Sequence, residues 1–151
     1  MSRHVILFYA TKDAYGEFSN FAAFPIDIDG RIWPTSEHYF QSQKFIGTEH
    51  QELIRSTPSP MLVAKIGRDR KRPLRMDWEE VKDGVMRKAV SNKFIQHPKL
   101  AAMLIETGDA EIVEHTENDA YWGDGGDGSG LNRLGQILMQ VRAELLQLGK
   151  S

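Results

Sequence analysis

The stretch Pro34-Thr35-Ser36-Glu37-His38-Tyr39-Phe40-Gln41-Ser42-Gln43-Lys44-Phe45 joins a clear helix start to ionisable groups on one face. Proline followed by two hydroxyl residues marks a cap, because Thr35 or Ser36 can accept a bond from an otherwise unpaired backbone N–H. Gly47 supplies the stop. On a helix with these bounds Glu37 and Lys44, seven residues apart, project from one side with Phe40 and Gln41 beside them. Glu37 falls in the first turn, where the positive end of the helix dipole favours its ionised form. On an arbitrary helix such residues are a capping carboxylate and a solvated lysine. A functional reading needs support from elsewhere in the chain.

With 151 residues the chain has the size of one ordinary domain, and a single domain over 1–151 is expected. It has no cysteine, which excludes a disulfide framework, thiolate catalysis and cysteine-based zinc sites. The histidines at 4, 38, 50, 97 and 115 form no HExxH or similar pair, so a protein-built metal site is not expected; the chain as a whole reads as a protein that needs no cofactor. The N-terminus leads straight into a strand-like segment, and no stretch is apolar enough to span a membrane. The expected setting is therefore soluble and cytoplasmic, without a membrane partner. No oligomeric state follows from the sequence.

The formal net charge of -2 argues against broad attachment to nucleic acid. Charge is nevertheless unevenly placed. Lys65, Arg68, Arg70, Lys71, Arg72 and Arg75 lie within eleven residues opposed only by Asp69, whereas the stretch from Glu106 to Asp127 holds eight acidic residues and no lysine or arginine. Such asymmetry suits a compact anionic ligand held by the basic segment; a solvated charged face accounts for it equally well.

Val5 to Tyr9 reads as a buried strand, and Pro25 to Trp33 as a hairpin turning at Asp29-Gly30. Short helices are expected over Thr48–Ser56 and from Ser59-Pro60 to about Ile66, closed by Gly67. A long helix starts at Asp77, where Asp77 and Glu80 have capping-box spacing. Another short helix follows His97-Pro98, then a strand at Ala110–Glu114 and a final helix at Leu131–Leu148. Phe18-Ser19-Asn20-Phe21 either folds into the core or lines a pocket.

Residues 123 to 130 carry five glycines in eight positions and open the last helix, the form of a loop whose N–H groups can hold an anion. The loop lacks the Walker ending, does not fit a dinucleotide fingerprint, and lacks the closing glutamate of an EF-hand. A flexible acidic surface loop is the plain alternative. Trp33, Trp78 and Trp122 adjoin polar or charged segments, where a flat aromatic face can either stack on a heterocyclic base or serve structure alone.

Five separated motifs, in order along nearly the whole chain, resemble the NADAR family and its bacterial YbiA-like branch: Asp13-Ala14-Tyr15-Gly16-Glu17-Phe18-Ser19-Asn20-Phe21, Trp33-Pro34-Thr35-Ser36-Glu37-His38-Tyr39-Phe40-Gln41, Gly67-Arg68-Asp69-Arg70, Trp78-Glu79-Glu80-Val81-Lys82 and Glu114-His115-Thr116-Glu117-Asn118-Asp119-Ala120-Tyr121-Trp122-Gly123. The resemblance implies an α+β, mainly helical fold with a small β-sheet and cleavage of N-glycosidic bonds. In this branch it implies phosphorylated ribosylaminopyrimidine intermediates of riboflavin biosynthesis as substrates, released as ribose 5-phosphate and the pyrimidine. Other members resemble enzymes that remove ADP-ribose from guanine, which would bring nucleic acid in as a partner. A third reading is a non-catalytic ADP-ribose or nucleotide-binding module.

Breaking an N-glycosidic bond builds positive charge on the anomeric carbon, which a carboxylate stabilises while an acid assists departure of the base. With that chemistry implied, the expected catalytic residues are Glu37 for the first task, Asp119 as second carboxylate, and Lys44 either as a Schiff-base nucleophile or as the charge that holds Glu37 ionised. Trp78 and Trp122 are expected against the base, with Phe18 and Gly123 lining the site. Asn20 and Asn132 are expected on sugar or base, and Arg68, supported by Arg70 or Arg75, on the phosphate.

Overall fold

A computed structural model describes residues 4–149 of the chain. In order, the described residues form β1 (Val5–Phe8), β2 (Ile26–Ile28), β3 (Arg31–Trp33), α1 (Ser36–Ser42), α2 (His50–Ser56), α3 (Pro60–Arg68), α4 (Trp78–Gln96), α5 (Pro98–Glu106), β4 (Glu111–Glu114) and α6 (Arg133–Leu148). Single 3-10 turns occupy Gly16–Phe18 and Gln43–Phe45. The class is α+β, as expected. The strands, however, form two separate pairs, β1 with β4 in parallel and β2 with β3 antiparallel, where one small sheet was expected.

The chain divides into two compact units, one of residues 23–93 and one of residues 1–22 with 94–151. In the central unit β2 and β3 form the expected hairpin, and its turn residues Asp29 and Gly30 both have positive φ, the conformation a two-residue hairpin turn requires. Ile26, Ile28 and Trp33 from this hairpin pack with Tyr39 and Ala89 into one apolar cluster, and Phe45, Ile54 and Val63 form a second. The Ser59 hydroxyl caps α3 by accepting from Leu62 N, with Pro60 at the first position. This helix passes through Gly67 to Arg68 instead of stopping at the glycine. At the start of α4 the Asp77 carboxylate pairs with the Arg75 guanidinium at 2.6 Å, while the Asp77 carbonyl accepts from Glu80 N and Val81 N.

In the other unit α6 packs on β4 and α5, burying Leu134, Ile137, Leu138 and Val141 along the stripe read from the sequence. β1 was expected to be buried throughout. Its residues instead alternate, with Ile6 and Phe8 inside and Val5 and Leu7 about half exposed, as for a strand covered on one face only.

Candidate active site

α1 is a seven-residue helix in which Ser36, Glu37, His38, Tyr39, Phe40, Gln41 and Ser42 are all buried. An ordinary surface helix keeps its polar residues outside. The helix starts where the sequence placed it: Thr35, in extended conformation, accepts from His38 N at 3.2 Å. The His38 ring closes this cap. Its Nε2 lies 2.6 Å from the Thr57 carbonyl and its Nδ1 2.7 Å from Thr35 Oγ1. A carbonyl only accepts, so Nε2 carries the proton, and the Thr35 hydroxyl donates to Nδ1. A neutral imidazole thus satisfies both contacts. Burial pushes the His38 pKa below its ordinary value, against the opposing effect of the Thr57 bond.

The α-helix ends at Ser42, and Lys44 lies on the 3-10 turn that follows, so the unbroken helix to Gly47 expected from the sequence is not formed. Lys44 still acts electrostatically on Glu37, and the two are equally buried, each with 7% of its surface exposed. Lys44 Nζ donates to the Gly67 carbonyl at 3.2 Å and lies 5.9 Å from the Phe40 ring centre and 5.7 Å from that of Trp78. Those two rings meet edge to face at 5.1 Å. Burial, followed by the nearby Arg70 charge, lowers the Lys44 pKa from 10.5 to about 8; Glu37 pulls the other way, Arg68 adds to the fall and Glu79 opposes it. An ammonium held in an aromatic pocket and crowded by two guanidinium groups is a strained base of the kind found at functional sites.

Glu37 Oε1 accepts from Gln41 Nε2 at 3.0 Å, one turn further along α1. The end of α3 supplies the cationic rim: Arg68 is exposed, and Arg70 Nη1 donates to the same Gly67 carbonyl that Lys44 reaches. Arg75, named as a possible phosphate ligand, is instead fastened to Asp77 and to the Gln43 carbonyl. Of the residues singled out in the sequence, the structure therefore gathers Glu37, Lys44, Trp78 and Arg68 within the central unit.

Phe18, Asn20, Asp119, Trp122, Gly123 and Asn132 fall in the second unit. Phe18 is buried among Phe8, Tyr15 and Phe94, and Asn20 is buried beside it in sequence. Asp119 Oδ1 accepts from Tyr121 N at 2.9 Å and Trp122 N at 2.8 Å, which folds the Asp-Ala-Tyr-Trp-Gly segment into a tight turn. Trp122 packs edge to face on Tyr121. Gly123 leaves no room for a side chain, since a Cβ there would lie 2.8 Å from the Glu114 carbonyl oxygen. The Asn132 amide ties two strands of chain together, accepting from Glu114 N and donating to the Ile112 carbonyl.

Five of the eight N–H groups in the glycine-rich loop are bonded within the chain, those of 124, 125, 126, 129 and 130. Gly125 N donates to the Asp119 carbonyl, Gly126 N to the Asp124 carboxylate, Gly130 N to the Asp124 carbonyl, and 131–134 bond back to the carbonyls of 120, 123, 121 and 122. Asp124, which sequence reasoning passed over, is the hub of this loop: it accepts from Thr116 N, Gly126 N and His115 Nδ1. Burial raises the Asp124 pKa, but these three bonds outweigh it and hold the carboxyl below its ordinary range. The alternation of aspartate and glycine is the available signal; in the sequence it is open between a loop that holds an anion and a flexible acidic surface loop, whereas in the structure Asp124 closes the loop on itself. A cleft of about 320 Å³ in this unit is lined by Leu7, Val113, Asp124, Leu131, Asn132 and Met139 among others. Among the described residues no three histidine or carboxylate groups gather as a metal site would require, and no helix is long and apolar enough to cross a membrane.

The chain is similar to known proteins in sequence and in fold. N-glycosidase YbiA of Escherichia coli (strain K12) is 59% identical over 145 residues, covering 96% of this chain and 91% of the relative. The NMR structure of the E. coli protein YbiA superimposes with a TM-score of 0.92 at 57% identity, covering 100% of this chain and 90% of that one. A riboflavin biosynthesis protein of Vibrio vulnificus is 43% identical over 140 residues; these are 93% of this chain and 38% of that longer protein. A family model described as the NADAR domain matches residues 7–146, through both compact units, and the chain belongs to the NADAR family.

Proposed function

We propose that this protein is an N-glycosidase that cleaves phosphorylated ribosylaminopyrimidine intermediates of riboflavin biosynthesis to ribose 5-phosphate and the free pyrimidine. Hydrolysis of N-glycosyl bonds is the activity named for the relative at 59% identity, and the riboflavin context is that of the Vibrio relative. The observation that carries the reading is the buried pair of Glu37, on a helix whose residues are all buried, and Lys44, on the 3-10 turn that follows it. Burying two opposite charges rarely stabilises a fold by itself, so their retention points to chemistry.

In this reading the glycosidic C–N bond breaks with its electron pair going to the base nitrogen. Glu37 faces the positive charge left on the anomeric carbon and orients the water that attacks it. Lys44, mostly protonated at neutral pH, is the counter-charge that keeps Glu37 ionised. Arg68 takes the phosphate and Trp78 lies against the base; Trp122 is assigned to the base by its motif alone. By its motif, Asp119 is assigned the transfer of a proton to the departing base, Gly123 and Asn20 a place on the sugar, and Phe18 and Asn132 the support of those segments.

Incubation with a ribosylaminopyrimidine phosphate and, separately, with ADP-ribosylated guanine, followed by mass spectrometry of the free base, separates the substrate classes. Release of pyrimidine alone is expected. Glu37→Gln is expected to reduce release on the order of 10³-fold while the fold persists; undiminished activity would refute the central assignment. Borohydride added during turnover is expected to leave the protein unmodified, and a reduced sugar adduct on Lys44 would make the lysine a nucleophile instead.

A further inference from the structure

Gln41 is only 6% exposed, and the two ends of its amide are treated unequally. Nε2 donates to Glu37 Oε1 at 3.0 Å, whereas Oε1 is buried with no hydrogen-bond partner among the described residues. A buried acceptor without a partner is destabilising, and reversing the amide would set its carbonyl against the Glu37 carboxylate. Facing the same amide is Gly67, inside α3, where a Cβ would lie 2.5 Å from Gln41 Cδ and closer still to Oε1. Gly67 has no positive φ to explain it, so the glycine is there for space, although glycine inside a helix is unfavourable. Leucine or methionine at 41 would fill a similar volume without an unpaired acceptor. Both unfavourable features are explained by one requirement, an N–H aimed at Glu37.

We infer that Gln41 is a positioning residue, fixing the orientation and the ionised form of the Glu37 carboxylate, and that Gly67 supplies the space that holds the Gln41 amide in place. This inference rests on the reading of Glu37 as the catalytic carboxylate. The charges around the pair are Lys44 on the 3-10 turn, which acts on Glu37 directly, and Arg68, Arg70 and Glu79, which act on Lys44 from α3, the segment after it and α4.

The test is the steady-state pH profile of base release by Gln41→Leu and Gly67→Ala. Each is expected to lower kcat about 10- to 100-fold, the scale of a small misplacement of a reacting group, with KM within about twofold. Without the donated bond, the acid limb of kcat/KM should move up by about one pH unit. Gly67→Ala should add nothing in a Gln41→Ala background, where its Cβ meets no amide. An unchanged kcat and acid limb, or a Gly67→Ala loss that persists in the Gln41→Ala background, overturns the proposal. Should Gln41→Leu fail to fold, Gln41→Asn and Gly67→Ala decide by the same criteria. An inactive Glu37→Gln beside a Gln41→Leu of ordinary profile removes this inference alone; an active Glu37→Gln removes the underlying reading and this one with it.

Discussion

Lys44 offers the sharpest quantitative test, because the same groups that lower its pKa can be removed one at a time. A fall from 10.5 to about 8 corresponds to about 3 kcal/mol of native-state free energy acting against the bound proton. At pH 7 about one Lys44 in ten carries a neutral amine, against about one in three thousand for an unperturbed lysine. Between about pH 8 and 10.5 the unfolded chain binds a proton at this position that the native chain does not, so the Lys44 contribution to stability rises with pH across that window. Below pH 8 both states are protonated and the native state carries the full cost. NMR titration of the side-chain ε-carbons in lysine-labelled protein, with Lys44 assigned by its loss in Lys44→Met, should show one of the nine lysines titrating near pH 8. Arg70→Gln removes the second-largest cause and should move that midpoint up, while Glu37→Gln removes an opposing one and should move it down. An ordinary midpoint for Lys44, or a downward move in Arg70→Gln, would refute the electrostatic account of the pocket.

His38 is held as a neutral imidazole whose folded pKa lies below 6.5, so acidification below that value protonates the unfolded state first. Thermal stability should therefore fall as pH drops below 6.5, and this part of the slope should vanish in His38→Gln. Thr35→Ala removes both the α1 cap and the Nδ1 partner of His38, a loss of about 1–2 kcal/mol readable by chemical denaturation, and Thr35→Ser should recover most of it. Gly135→Ala places a methyl group against the Ile112 carbonyl and 2.5 Å from Asn132 Oδ1; a destabilisation of at least about 2 kcal/mol is expected in a thermal melt, and an unchanged melting temperature would mean that the Asn132 tie adjusts freely.

Local chemistry made much of the fold legible. Thr35 and Ser59 cap the helices they were expected to cap, Asp29-Gly30 turns the hairpin, and the apolar stripe of the last helix is its buried face. These features depend on neighbours within a few residues, which is the range over which hydrogen-bond needs and side-chain periodicity act. Glu37 and Lys44 could be named as partners for the same reason, their separation being about two turns of chain. The break at Ser42 and the run of α3 through Gly67 could not be read, because packing decided them.

What the tertiary structure alone decided is the environment of each polar group. Sequence spacing says that Glu37, His38, Gln41 and Lys44 are near one another; it cannot say that all four are buried, which turns a solvated lysine into a base with a pKa of about 8. Nor can it say where a donor finds its acceptor. His38 reaches Thr57, Lys44 reaches Gly67, and Asn132 reaches Ile112, partners 19, 23 and 20 positions apart in sequence. The glycine-rich loop marks the same boundary: its composition announced unusual backbone, but only the folded structure showed that Gly125, Gly126 and Gly130 turn their amides onto Asp119 and Asp124. Composition and spacing supply the groups, and burial fixes what each one costs and therefore which chemistry it can perform.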